Sequence, residues 1–130
     1  MGGKGCTVPA ATIILVVDDN ALTLLTLTRI LEQHGYGVLA ARDAGNAMQL
    51  ARAQPLDLVI TDYNLPGSSG RLVAALKQLR SGLPIVVLSG DPEAAQAADS
   101  ADLLLPKPQA PENLVAEIRR LLEQKQKHAA

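Results

Sequence analysis

The chain has 130 residues, a length typical of one domain with one hydrophobic core. Hydrophobic residues make up 48% and charged residues 19% of the sequence, which indicates a globular protein rather than a disordered one. Twelve basic and thirteen acidic side chains give a net charge of −1. This balance argues against a dedicated nucleic-acid-binding protein, because neutralising phosphates requires an excess of positive charge.

Cysteine usage and hydropathy exclude further classes. The single cysteine, Cys6, can form neither an internal disulfide nor a cysteine metal cluster. No apolar run approaches the roughly 20 residues that cross a bilayer. The Gly-rich start also lacks the pattern of a signal peptide. We therefore predict a cytoplasmic protein without membrane contact.

Short apolar runs alternate with helical patterns along the chain. In chain order, the predicted elements are strand Thr12–Val17, helix Asn20–His34, strand Val38–Ala41, helix Asn46–Ala53, strand Leu58–Thr61, helix Arg71–Arg80, strand Pro84–Leu88, helix Glu93–Asp99, strand Leu103–Leu105 and a helix from Pro111 to about Lys125. Such alternation predicts an α/β protein with a doubly wound parallel sheet and helices on both faces. We predict one domain over residues 12–125, between flexible tails at 1–11 and 126–130.

Polar residues stand where four of the predicted strands end. The first strand ends in Asp18 and Asp19, the third in Asp62 and the fourth in Ser89, and the fifth continues into Lys107. In an open doubly wound sheet, ligands bind outside the carboxyl ends of the strands. Each of these residues alone is more often a helix cap, a turn residue or a surface residue. Their joint placement favours a single functional crevice.

The chemistry of this crevice follows from its charges. Three neighbouring carboxylates repel one another, and either protonation or a hard cation such as Mg²⁺ relieves the repulsion. One carboxylate could act as a nucleophile and form an acyl phosphate. A lysine and a serine hydroxyl could then hold the phosphoryl oxygens, since phosphoryl transfer depends mainly on positioning and charge neutralisation.

From Thr12 to Leu122, the sequence resembles the receiver domain of two-component response regulators, including the chemotaxis regulator. The matching segments are ILVVDDN, DLVITDYNLPGSSG, PIVVLSG and PKP. The resemblance implies a flavodoxin-like, three-layer fold with a five-stranded parallel sheet in the order 2-1-3-4-5.

The resemblance also assigns roles to individual residues. It implies that Asp62 is the phosphoacceptor, and that Mg²⁺ or Mn²⁺ is bound by Asp19 directly, by Asp18 more often through water, by Asp62, and by the backbone carbonyl of Asn64. Ser89 and Lys107 match the residues that contact the phosphoryl group. The bond between Lys107 and Pro108 is a candidate cis peptide, which is a minority state even before proline.

The implied function is a phospho-accepting receiver in a two-component system or a phosphorelay. It would take a phosphoryl group from a histidine kinase or a histidine phosphotransfer protein, and it would catalyse only its own modification and its reset by water. The resemblance leaves a homodimer open, and we predict no direct contact with nucleic acid.

Two departures from the family bear on signalling. Leu104 stands where the family usually has Tyr or Phe, so the usual coupling of Ser89 to an aromatic side chain is not available. The segment between Ser89 and Lys107 is a few residues short, which predicts a stunted helix over Glu93–Asp99. The resemblance therefore does not extend to the surface that this helix forms with the last strand and the last helix in the family.

The first predicted helix has apolar residues on two sides. Leu24, Leu27 and Leu31 share one face, while Leu22 and Leu25 lie roughly opposite. One stripe belongs to the core. We hypothesise that Leu22 or Leu25 contacts the histidine-bearing helical bundle of the phosphodonor; a half-buried position beside the last helix is the alternative.

Three other functions are alternatives for this sequence. A degenerate receiver could act as a phosphorylation-independent scaffold, for which Leu104 is the best argument. A phosphatase of the haloacid dehalogenase type would need a second aspartate two residues after the nucleophile, where this chain has Asn64. A nucleotide-binding fold would need a Gly-rich phosphate loop after the first strand, and none is present.

Overall fold

The computed structural model describes residues 12–63, 71–90, 101–107 and 111–129. Its three central strands coincide with apolar, β-branched runs, as expected for strands that are buried on both faces. The five strands are β1 (Ile13–Val17), β2 (Gly37–Ala41), β3 (Leu58–Asp62), β4 (Ile85–Ser89) and β5 (Leu103–Pro106). They form one parallel sheet in the order β2-β1-β3-β4-β5, which confirms the predicted topology.

Four helices lie among the described residues: α1 (Ala21–Gln33), α2 (Ala44–Ala53), α3 (Arg71–Leu79) and α4 (Pro111–Ala129). None of these helices combines the length and the hydropathy that a membrane span requires. The turn predicted at 66–70, the short helix Glu93–Asp99, the bond between Lys107 and Pro108 and the tail at 1–11 lie outside the described residues.

The boundaries of two helices differ from the prediction by two residues or more. Helix α2 begins at Ala44, two residues early, because the Asp43 side chain caps it by accepting a hydrogen bond of 2.8 Å from the backbone N–H of Asn46. Helix α4 continues to Ala129, four residues beyond the predicted end at Lys125. No glycine or proline interrupts this last stretch, so no local signal for a helix end was present.

The sheet separates two apolar layers. Successive side chains of a strand point to opposite faces, so Ile14 and Val16 face one layer while Leu15 and Val17 face the other. Helices α1 and α4 cover the first face with Leu24, Leu31, Leu114, Ile118 and Leu121. Helices α2 and α3 cover the second face with Ala47, Ala51, Leu72, Val73 and Leu76. Leu24 and Leu31 confirm which stripe of α1 belongs to the core.

This alternation also decides where the strand-end residues lie. Asp18 follows Val16 by two positions, Asp62 follows Ile60, and Lys107 follows Leu105. The period of two therefore directs all three toward the face that α1 and α4 cover. The register places Val17 beside Thr61 and Thr61 beside Val87, so that β1, β3 and β4 end near one another.

Candidate functional site

The acidic site lies at the carboxyl ends of β1 and β3. One carboxylate oxygen from each of Asp18, Asp19 and Asp62 lies within 4.8 Å of the others. Asp18 and Asp62 are buried, whereas Asp19 is exposed. The structure thus brings together the three carboxylates that the sequence places at strand ends.

Lys107 joins two of these carboxylates. Its Nζ lies 3.3 Å from Asp18 Oδ2 and 3.1 Å from Asp62 Oδ1. The backbone N–H of Lys107 donates to the Ser89 carbonyl at 2.8 Å, which fixes the residue at the end of β5 against β4. Burial by itself lowers the pKa of Lys107, but the carboxylates of Asp62 and Asp18 outweigh this effect, and the pKa is raised above its ordinary value. The side chain therefore stays a cation within the acidic site.

The two adjacent aspartates differ in how the protein satisfies them. Asp18 uses both carboxylate oxygens, because Oδ1 accepts the backbone N–H of Asn20 at 2.9 Å and Oδ2 faces Lys107. No described residue donates a hydrogen bond to the carboxylate of Asp19. Of the pair, Asp19 thus has the carboxylate that is open to a ligand from solvent.

The donor set suits a hard divalent cation. Three carboxylate oxygens from separate side chains are the ligands that Mg²⁺ or Mn²⁺ prefers, and one exposed carboxylate leaves room for water and phosphate oxygens. A single lysine cannot neutralise three carboxylates, so the site has a charge that a cation would reduce. The residues that the structure describes therefore fit the predicted metal.

Ser89 and Asn64 complete the predicted set. Ser89 is buried and ends β4, beside Pro106 in the register and one position past the partner of Asp62. Asn64 lies outside the described residues, so its backbone carbonyl stays a predicted ligand. Tyr63 and Leu104 are both partly buried against the layer under α2 and α3, away from the face with the carboxylates and Lys107.

A groove adjoins the site on the face of α1 and α4. It has a volume of about 360 Å³, and Lys107 forms its wall toward the acidic site. Its other lining residues are apolar or threonine: Leu22, Thr23, Thr26, Leu27, Ile30, Leu88, Pro111 and Leu114. Leu22 is 72% exposed and lines the groove, while Leu25 is 48% exposed and does not.

Several residues that position the site were missed in the sequence. Arg42 donates to the Asp19 carbonyl. Asp57 and Asp102 lie just before β3 and β5, at the edge of the sheet opposite the acidic site, and each accepts a backbone N–H from the neighbouring strand. Asp57 and Asp102 each stand directly before an apolar run, as DLVITD and DLLLPK show, and this repetition was a usable signal. Arg42 left no such signal, because its partner is 23 residues away in the sequence.

Comparisons with known proteins agree with this geometry. The family described as "Response regulator receiver domain" matches residues 14–119. The DNA-binding response regulator MtrA of Mycobacterium tuberculosis and the aerobic respiration control protein ArcA of Escherichia coli are each 34% identical over 113 residues, or 84% of this chain. The chain spans about half the length of these curated relatives, 50% of MtrA and 48% of ArcA.

Solved structures give the same assignment. A CheY-like receiver domain from Methanospirillum hungatei superposes with a TM-score of 0.87 at 27% identity and covers 92% of this chain and 99% of its own. The signal receiver domain of an HD-domain protein from Pseudomonas fluorescens gives 0.85 at 29% identity, covering 95% of each chain. With the family match and the strand order, these similarities show that the chain belongs to the response regulator receiver domains of two-component signalling.

Proposed function

We propose that this chain, acting in the cytoplasm, accepts a phosphoryl group on Asp62 from a histidine kinase or a histidine phosphotransfer protein in a Mg²⁺-dependent reaction. One observation carries the proposal: Lys107 Nζ lies 3.1 Å from Asp62 Oδ1 within a cluster of three carboxylates. A nucleophile, a cation and ligands for a metal thus share one site, as phosphoryl transfer requires.

The transfer forms one bond and breaks another. An Asp62 carboxylate oxygen attacks phosphorus, the bond between phosphorus and the donor imidazole breaks, and the imidazole nitrogen keeps the electron pair. The product is an acyl phosphate on Asp62. Water then attacks this acyl phosphate, which releases inorganic phosphate and regenerates the carboxylate. The domain modifies only itself in this scheme and is not an enzyme toward external substrates.

The residues around Asp62 would neutralise the charge of the phosphoryl group. Lys107, held cationic by its two carboxylates, can pair with phosphoryl oxygens once Asp62 is modified. Ser89 would hold another of these oxygens. Mg²⁺, held by Asp18, Asp19, Asp62 and the Asn64 carbonyl, would neutralise the charge that develops on the phosphoryl group.

The groove beside Lys107 supports a docking site for the phosphodonor. A donor helix laid over α1 would place its apolar side chains in the groove and its phosphohistidine near Asp62. Leu22 combines high exposure with a position on the groove, whereas Leu25 is exposed away from it. The structure therefore favours Leu22 over Leu25 as the contact residue.

Intact mass spectrometry tests the phosphoryl acceptance. We expect the wild-type protein to gain one phosphoryl group after incubation with acetyl phosphate and Mg²⁺. A chelator should abolish the gain because the carboxylates then keep their charge, and Asp62→Ala should abolish it because the nucleophile is missing. A gain that persists in Asp62→Ala would place the modification elsewhere.

Two leucine variants test the docking site. Leu22→Asp should lower the rate of transfer from a phosphorylated histidine phosphotransfer protein, because it puts a charge into an apolar contact. Leu25→Asp serves as the matched control and should transfer at close to the wild-type rate. Both variants should react normally with acetyl phosphate. Equal rates for Leu22→Asp and the wild type would exclude this contact.

The phosphorylation-independent scaffold gains no support from these residues, since the acidic cluster and Lys107 are present together. A folded wild-type protein that takes no phosphoryl group from acetyl phosphate or from any histidine kinase tried would nevertheless favour it. A homodimer and the lack of direct nucleic-acid contact stay predictions.

A further inference from the structure

Arg42 stands directly after β2, at the rim of the acidic site. Its Nη2 donates to the backbone carbonyl of Asp19 at 3.2 Å. The residue before it, Ala41, accepts the backbone N–H of Asp18 at 3.1 Å. The end of β2 thus holds Asp18 and Asp19 through two neighbouring contacts, one from the backbone and one from a side chain.

These contacts fix a single peptide unit. The Asp19 carbonyl and the Asn20 N–H belong to the same planar peptide bond. Arg42 binds the carbonyl at one end, and Asp18 Oδ1 accepts the N–H at the other end at 2.9 Å. A cation therefore faces the negative end of this peptide dipole, and an anion faces its positive end. Both charges stabilise the same orientation of the peptide plane.

The orientation of this peptide matters for the carboxylate of Asp19. No described residue binds that carboxylate, so only the backbone and the side-chain rotamer determine where it points. Rotation of the peptide between residues 19 and 20 changes ψ of Asp19, and the backbone φ and ψ angles determine which side-chain rotamers of Asp19 are allowed. A hydrogen bond to the Asp19 carbonyl thus influences the direction of the Asp19 carboxylate, which is a predicted metal ligand.

We infer that Arg42 is a positioning residue of the divalent cation site and acts through the peptide bond between Asp19 and Asn20. The inference rests on the proposed function, because it takes the acidic cluster as the cation site. Electrostatics alone predicts the opposite effect for Arg42, since a cation near the site repels a second cation. The sign of a substitution's effect on metal affinity therefore separates positioning from simple charge.

Isothermal titration calorimetry with Mn²⁺ alone provides the test. Arg42→Met keeps an unbranched apolar stem but removes the guanidinium donor, and we expect Kd to rise about tenfold, near the lower end of the effects of outer-shell partners. Arg52→Met is the matched control because Arg52 is exposed in the last turn of α2, at the end of that helix far from Arg42. It removes the same charge and should leave Kd unchanged.

The outcomes are distinct. A raised Kd in Arg42→Met alone, with the unfolding temperature in chelator unchanged, supports the positioning role. An equal or lower Kd in Arg42→Met overturns it while leaving the proposed function intact. A wild-type protein that binds no Mn²⁺ overturns the cation site and this inference together.

Discussion

At the amino-terminal edge of the sheet, Asp57 and Asp102 precede β3 and β5, whereas at the carboxyl-terminal edge Asp18 and Asp19 follow β1 and Asp62 ends β3. Asp57 and Asp102 make the same two kinds of contact with the strand beside them. Asp57 Oδ2 accepts the backbone N–H of Ile13 at 2.8 Å, and its own N–H donates to the Ile13 carbonyl at 2.8 Å. Each amino-edge aspartate thus extends the parallel pairing by one residue.

Asp102 makes the same pair of contacts with Ile85, at 2.7 Å and 2.9 Å. It also binds Lys77 Nζ at 2.7 Å, and that ammonium donates to the Leu83 carbonyl. At the opposite edge, Lys107 pairs with the carboxylates of Asp18 and Asp62, and the carboxylate of Asp19 has no partner among the described residues. The same residue type is therefore structural where N–H donors surround it and available for chemistry where they do not.

The largest expected effect concerns the amino edge. Asp102→Ala should lower the free energy of unfolding by about 2 kcal/mol, because it leaves the Ile85 N–H without its acceptor and removes the ion pair with Lys77. Asp57→Ala should cost about 1 kcal/mol, since only the Ile13 N–H loses its acceptor. Urea unfolding followed by circular dichroism measures both. The folded variants should still be phosphorylated, and a loss of phosphorylation would break the distinction between the two edges.

A smaller effect of opposite sign is expected at the carboxyl edge. Asp19→Asn removes repulsion between carboxylates and breaks no described side-chain contact, so it should raise the unfolding temperature in chelator. The increase should be smaller at high salt because Asp19 is exposed. Added Mg²⁺ should stabilise this variant less than the wild type. A lower unfolding temperature in chelator would show that Asp19 also has a structural role.

The smallest expected effect is a pH dependence of the free energy of unfolding, which Lys107 at the carboxyl edge should cause. The folded state raises the pKa of Lys107, so its contribution to stability is present below its ordinary pKa of 10.5 and is lost as pH rises through the folded-state value. The free energy of unfolding of the wild type should exceed that of Lys107→Met at neutral pH. This difference should shrink in alkaline solution, measured in chelator. A difference that stays constant would mean that the side chain acts through packing.

Much of the site could be predicted because its residues stand at strand ends. The apolar runs identified all five strands, and the residues after them identified Asp18, Asp19, Asp62 and Lys107 as neighbours. The helix boundaries at Ala44 and Ala129 were less predictable, because side-chain capping and continuation of a polar helix give weak local patterns. The role of Arg42 left no local pattern, because it depends on a backbone group of another element, whereas Asp57 and Asp102 stand in a repeated position before apolar runs.

Local sequence patterns are sufficient to predict the order of the elements, the face on which each strand residue lies and the edge at which the carboxylates collect. These properties follow from local periodicity and from the geometry of parallel strands. Which carboxylate has hydrogen-bond partners and which is open to solvent depends on contacts that form on folding. Asp18 and Asp19 are adjacent in the chain, yet Lys107, 89 residues away, pairs with Asp18 and not with Asp19. Partners so distant in sequence become neighbours only through folding.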